Sequence, residues 1–210
     1  MKTILCFGDS NTYGYVPIKE NRFPKDVRWT GRLQQLLGDR YTVIEEGCNG
    51  RTTVFDEPEE SWKNGMRYIH ACLNSHKPLD FVILMLGTND LKEMFGVTAE
   101  QIAEGADALV KVIKEFMPEK QGFAPQILLV SPIEVGPGIT SSPFAERFSE
   151  SAVTRSREFP ALYRAVAEAN GCLFLNAAEY AQPSREDSLH LTAEGHAALA
   201  AALYDKIKEL

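Results

Sequence analysis

The six residues Phe81-Val-Ile-Leu-Met-Leu86 hold no polar side chain. A strand with one face in water alternates apolar and polar residues, so a short unbroken apolar run reads as a strand covered on both faces. That demands helices on either side of a parallel sheet, and the rest of the chain supplies them. Thr3–Phe7 and Tyr41–Glu45 read as strands before this run, and Gln126–Ser131 and Cys172–Asn176 as strands after it. Helices are expected at Trp29–Leu37, which Gly38 ends, and at Gly65–Asn74, where Met66, Ile69 and Leu73 recur at helical spacing. Thr98 and Gln101 form a capping box for a helix running toward Phe116. Two more helices are expected, at Phe159–Asn170, closed by Gly171, and at Ala193–Lys208, with Leu199, Leu203 and Ile207 on one face. Strands alternating with helices predict an α/β fold of three layers, α/β/α, around a parallel sheet of about five strands. With 210 residues, 44% of them hydrophobic, and no repeat or linker, one domain spanning 1–210 is expected.

The chemistry is expected where these strands end, because α/β proteins place ligands at the carboxyl edge of the sheet. Gly8-Asp-Ser10-Asn follows the first strand and displays Ser10 on a turn, as a candidate nucleophile. A serine needs a base, a group that orients the base, and donors for the oxyanion. Asp187-Ser-Leu-His190 lies in a polar stretch, and its spacing on a turn lets Asp187 receive the Nδ1–H of His190. Thr192 can cap the helix that follows, so His190 is not needed for that. Gly50, in Gly47-Cys-Asn-Gly-Arg-Thr52, can offer a backbone N–H, and Asn89, in Gly87-Thr-Asn-Asp90, can offer its amide. Each segment alone is an ordinary strand-ending turn; the set carries the argument.

Together these blocks resemble the SGNH (GDSL-type) hydrolases, in the order and over the span found in that family. Ile4–Ser10, Val27–Gly31, Val43–Gly47, Arg51–Thr53 and Met85–Asp90 resemble its arylesterase/acyltransferase branch. The resemblance implies a flavodoxin-like strand order, Ser10 as nucleophile, His190 as base and Asp187 as its partner. It implies an oxyanion hole of Ser10 N–H, Gly50 N–H and the Asn89 amide. It also implies a homo-oligomer. Position 11 is Asn where the best-known signature has Leu, which would make the pocket floor more polar.

The formal charge of −7, with 29 acidic and 22 basic residues, argues against nucleic acid or an anionic membrane as partner. No apolar stretch approaches the roughly 18 residues of a membrane helix. The N-terminal apolar run is too short for a signal peptide and leads into the Ser10 turn. Cys6, Cys48, Cys72 and Cys172 form no CxxC pair, so a reduced cytoplasmic protein without disulfides is expected. No cofactor or metal is expected.

Tyr15–Arg28 and Pro132–Ser149 read as irregular, and long loops in compact domains are usually functional. Tyr13, Tyr15, Trp29, Ile139, Phe144 and Phe148 are candidates, with Asn11, to line a pocket beside Ser10, or else to pin loops to the body or form an interface. His196 is expected on a helix face, and His70 and His76 in structural roles. Asp9 and Asp90 are expected to accept backbone N–H groups, and Arg51 to pair with a carboxylate. The leading reading is a serine esterase of small short-acyl esters, with acyl transfer to alcohols through the same acyl-serine. A carbohydrate O-deacetylase, a thioesterase or lysophospholipase-type acylhydrolase, and a non-catalytic flavodoxin-like module are the alternatives. The last lacks any phosphate-cradling loop.

Overall fold

The computed structural model describes residues 1–19 and 21–208. Glu20, inside the first segment expected to be irregular, and residues 209–210 lie outside the described residues. Five strands form one sheet: β1 (Lys2–Gly8), β2 (Tyr41–Gly47), β3 (Phe81–Met85), β4 (Gln126–Ser131) and β5 (Leu173–Asn176). Every pair is parallel, and the order is β2-β1-β3-β4-β5. The helices are α1 (Ser10–Tyr13), α2 (Trp29–Leu37), α3 (Gly65–His76), α4 (Ala99–Gln121), α5 (Glu150–Ser156), α6 (Phe159–Asn170) and α7 (Ala193–Ile207).

Strand alternation divides the core in two. Ile4, Cys6, Ile83, Met85, Leu128 and Val130 pack with Trp29, Leu33, Leu199 and Leu203 of α2 and α7. Leu5, Phe7, Val82, Leu84 and Leu129 pack on the other face with Ile69, Leu109, Ile113 and Tyr163 of α3, α4 and α6. All five residues of β3 are buried, which is why that strand shows no polar position. The Thr98–Gln101 capping box is present, but α4 continues past Phe116 to Gln121, carrying Pro118 in its last turn. Two helices are additional to those expected. The four-residue α1 is too short for any periodicity, and α5 interrupts the polar stretch after Pro132–Ser149.

The strand order reverses direction between β1 and β3. In such a sheet the connections leave the two carboxyl ends on opposite faces and open a crevice there. Ser10 follows β1 and Asn89 follows β3, so the topology alone brings them to one place.

Candidate active site

Ser10 is the first residue of α1, and Asp9 caps it, accepting the Asn11 N–H at 2.9 Å. The turn presses against the sheet. A Cβ on Gly47, the register partner of Gly8, would lie 2.1 Å from the Tyr13 nitrogen, and one on Gly8 would lie 2.0 Å from Thr12 Oγ1. Glycine ends both strands because any side chain there would push the serine turn away.

His190 Nε2 lies 2.9 Å from Ser10 Oγ, and His190 Nδ1 lies 2.8 Å from Asp187 Oδ2. The other oxygen of Asp187 accepts from the backbone N–H groups of Leu189 (3.0 Å) and His190 (2.9 Å) and from the Ser184 hydroxyl (3.0 Å). Asp187 is wholly buried, which by itself would raise its pKa. The bonds from His190 and Leu189 outweigh burial and hold it below the usual carboxylate value. An ionised Asp187 places the imidazole proton on Nδ1 and turns the lone pair of Nε2 toward Ser10.

Gly50 takes a left-handed backbone, φ +80°, which exposes the peptide of its turn at no steric cost. The Asn89 amide donates to the Arg51 carbonyl at 3.1 Å, leaving its second N–H free of that bond. Ser10, Gly50, Asn89 and His190 line one cavity of about 290 Å³, with Asp187 behind His190. The chain can therefore bring a carbonyl against a serine hydroxyl held by a base, beside neutral donors. Among the described residues no helix is long and apolar enough to cross a membrane.

Three of the expected lining residues face this cavity: Tyr15, Phe144 and Phe148. The rings of Tyr15 and Phe144 lie 4.3 and 5.3 Å from the His190 ring, centroid to centroid. Four do not face it. Trp29 and Ile139 are buried in the two halves of the core, and Tyr13 lies under the Arg22 guanidinium. Asn11 is buried away from the cavity and bonds the backbone on both sides of His190, rather than making a polar floor. Successive residues on a helical turn are about 100° apart, so with Ser10 facing the cavity its neighbours along α1 face elsewhere.

Asp9 and Asp90 accept backbone N–H groups as expected, but the partner of Asp90 is Thr53, at 2.9 and 3.2 Å, in the neighbouring block. Burial pushes both carboxyls up to about 6. Among the described residues Arg51 pairs with no carboxylate. Its Nη1 donates to the carbonyls of Gly8 (3.0 Å) and Glu46, and its guanidinium lies 4.3 Å over the Phe7 ring, so it ties the ends of β1 and β2 together. His196 lies on a face of α7, as expected, and that face is turned inward. It is fully buried, its Nδ1 accepts the Trp29 N–H at 3.3 Å, and burial lowers its pKa to about 3. His70 packs edge-on against Phe116. His76 ends α3 and bonds Glu46 at 2.8 Å. With Cys72 these two bring an imidazole, a carboxylate and a thiol within 4.8 Å of one another, outside the cavity. Burial pushes the Cys72 thiol up to about 12, so it is protonated.

The sequence reading missed Asn49, Glu60, Trp62, Lys63, Lys92, Arg147 and Leu189, which complete the cavity wall. Most come from turns without hydrophobic periodicity. The one local signal was Trp62, an aromatic set in a charged stretch and 58% exposed.

The model of the GDSL-like lipase/acylhydrolase family matches residues 6–198. The chain belongs to this family. As a GDSL-like hydrolase of the SGNH type it is an ester-hydrolysing enzyme. The aryl esterase of M. smegmatis is 38% identical, with a TM-score of 0.94 and 100% of both chains covered. Est24, a carbohydrate acetylesterase from Sinorhizobium meliloti, is 37% identical, with a TM-score of 0.93 over 100% of this chain and 99% of its own. The lipase/acylhydrolase from Enterococcus faecalis, 22% identical with a TM-score of 0.71 over 100% of this chain and 96% of its own, shares the fold. No curated protein sequence matches the chain significantly.

Proposed function

We propose that this GDSL-like hydrolase cleaves small, short-acyl esters, with Ser10 as nucleophile. The observation that carries this is the hydrogen-bonded chain Asp187–His190–Ser10, at 2.8 and 2.9 Å, opening on a cavity of only about 290 Å³. His190 Nε2 takes the Ser10 proton as Oγ attacks the ester carbonyl carbon. The carbonyl π-electrons move to oxygen, facing the N–H groups of Ser10 and Gly50 and the Asn89 amide. The intermediate collapses, the C–O bond to the alcohol breaks, and the imidazolium protonates the departing alkoxide. Water, deprotonated by His190, attacks the acyl-Ser10 carbonyl and releases the acid. An alcohol in place of water gives acyl transfer, which formation of a methyl ester in aqueous methanol would test.

The structural likeness to an aryl esterase supports an activated or aryl ester as substrate. A carbohydrate O-deacetylase is the second reading. It is favoured by Trp62, whose exposed indole at the cavity wall offers a flat platform for a sugar ring, and by the likeness to a carbohydrate acetylesterase. A cytoplasmic location and assembly with further copies of the chain complete the proposal; four free cysteines support the first.

The test is hydrolysis of p-nitrophenyl esters from acetyl to octanoyl by wild type and Ser10→Ala, with acetylated xylose alongside. Turnover that falls with chain length and vanishes in Ser10→Ala is expected. A folded wild type inert toward every ester would overturn the reading.

A further inference from the structure

The whole chain carries a formal charge of −7. The wall of the cavity beside Ser10 reverses that sign, with Lys63, Lys92 and Arg147 facing one carboxylate, Glu60. The two lysines are only 7% and 2% exposed. Glu57, behind the wall, bridges them: its Oε2 lies 3.3 Å from Lys63 Nζ and its Oε1 pairs with Lys92. Buried charges are kept where partners hold them, and this bridge fixes both ammonium groups in place. Lys63 also pairs with Glu60 at the rim. Three cations against two carboxylates leave one positive charge in excess. Lys63, whose charge Glu57 and Glu60 share, lies close to the reacting centre. A Cβ on Gly50 would meet Lys63 Nζ at 3.1 Å, so the ammonium sits against the turn that carries the Gly50 N–H.

Arg147 is the cation left over. Among the described residues no carboxylate pairs with it. Its backbone is nonetheless held on both sides: its N–H donates to the Phe144 carbonyl at 2.9 Å, and its carbonyl accepts the Glu93 N–H at 2.9 Å. Phe144 and Phe148, which flank it in sequence, both line the cavity. Arg147 is thus an exposed lining residue of the cavity carried on a fixed backbone. A planar guanidinium with two parallel N–H groups matches a carboxylate or phosphate. A positive cleft in an acidic protein also concentrates anions from solution.

We infer that the cavity takes esters bearing an anionic group, which Arg147, the one cation of the wall that no carboxylate among the described residues balances, binds beside the paired Lys63 and Lys92. This rests on the serine-esterase reading and narrows its substrate class. It predicts a preference between esters that differ only in charge.

The experiment uses 4-acetoxybenzoate and its neutral methyl ester, which lose the same acetyl group from closely similar phenols. Wild type, Arg147→Gln and Arg147→Lys are compared at low and high salt. The ratio of kcat/KM, anionic over neutral, is expected to fall about 5-fold in Arg147→Gln and to be mostly kept in Arg147→Lys. In wild type it is expected to fall as salt rises. A ratio that Arg147→Gln leaves unchanged overturns the inference. Calorimetric binding of 4-acetoxybenzoate to Ser10→Ala and to Ser10→Ala/Arg147→Gln separates this from failure of the esterase reading. Arg147-dependent binding without turnover of either ester by wild type would sink the esterase reading and support the anion site. Binding indifferent to Arg147 would overturn the site itself.

Discussion

The side-chain amide of Asn11 holds the backbone on both sides of His190. Its oxygen accepts the Leu191 N–H at 2.9 Å, and its nitrogen donates to the Leu189 carbonyl at 3.3 Å. The Trp29 indole N–H bonds the Asn11 carbonyl in turn, at 3.0 Å. Asn11, beside Ser10, therefore sets the height of the His190 ring, independently of the Ser10–His190 bond. Asn11→Leu removes both bonds at similar volume and leaves a buried N–H and C=O unpaired. We expect a loss of about 2–4 kcal/mol in stability and of about 10–100-fold in kcat, with KM little changed. Asn11→Asp, which keeps the acceptor, should fall between. An unaltered kcat in Asn11→Leu would refute the positioning role.

Asn89 has one N–H on the Arg51 carbonyl and a second available for a developing oxyanion. Asn89→Ala should lower kcat by about 10²–10³ while KM for a p-nitrophenyl acetate substrate changes far less. A variant in which KM alone rises would show that Asn89 binds substrate and transition state equally.

Arg51 joins the ends of β1 and β2 through two backbone carbonyls and lies over Phe7. Its removal leaves those carbonyls buried without their charged donor. Arg51→Ala should cost about 2–4 kcal/mol, seen as a lower urea midpoint, and Arg51→Lys should recover only part of it. Normal unfolding with lost turnover would mean that Arg51 serves chemistry instead.

His196 is buried and titrates in the folded protein at about 3, well below its value in an unfolded chain. Below pH 6.5 the unfolded chain gains a proton that the folded one refuses, so stability falls as pH drops from about 6.5 toward 3. Asp9 and Asp90, raised to about 6, act in the opposite sense as they protonate. Only a comparison with a variant isolates the histidine. His196→Asn keeps an acceptor near the Trp29 N–H and does not titrate. From pH 7 to pH 5 wild type should lose about 2 kcal/mol more than His196→Asn in denaturant titrations, and parallel curves would contradict the buried neutral form.

What the sequence determined by itself was local and periodic. The apolar run at Phe81–Leu86 announced a doubly covered strand, and the Thr98 box and the glycines after α2 and α6 marked helix ends, because these signals act within a few residues. Ser10, Gly50 and Asn89 were legible because each lies in a turn after a strand whose punctuation is local, and the parallel order gathers those turns at one edge; the Asp187–His190 spacing was legible too, but it is the long loop between β5 and α7 that carries it to Ser10. Only the tertiary structure decided which side chains face the cavity. Tyr15 and Phe144 turn inward while Trp29 and Ile139 are claimed by the core, and no pattern along the chain distinguishes an aromatic needed for packing from one needed for a pocket. The same holds for Glu57 between Lys63 and Lys92, and for Asn11 across 180 residues to Leu191. Such contacts depend on distances that exist only once the sheet has brought remote loops to one edge.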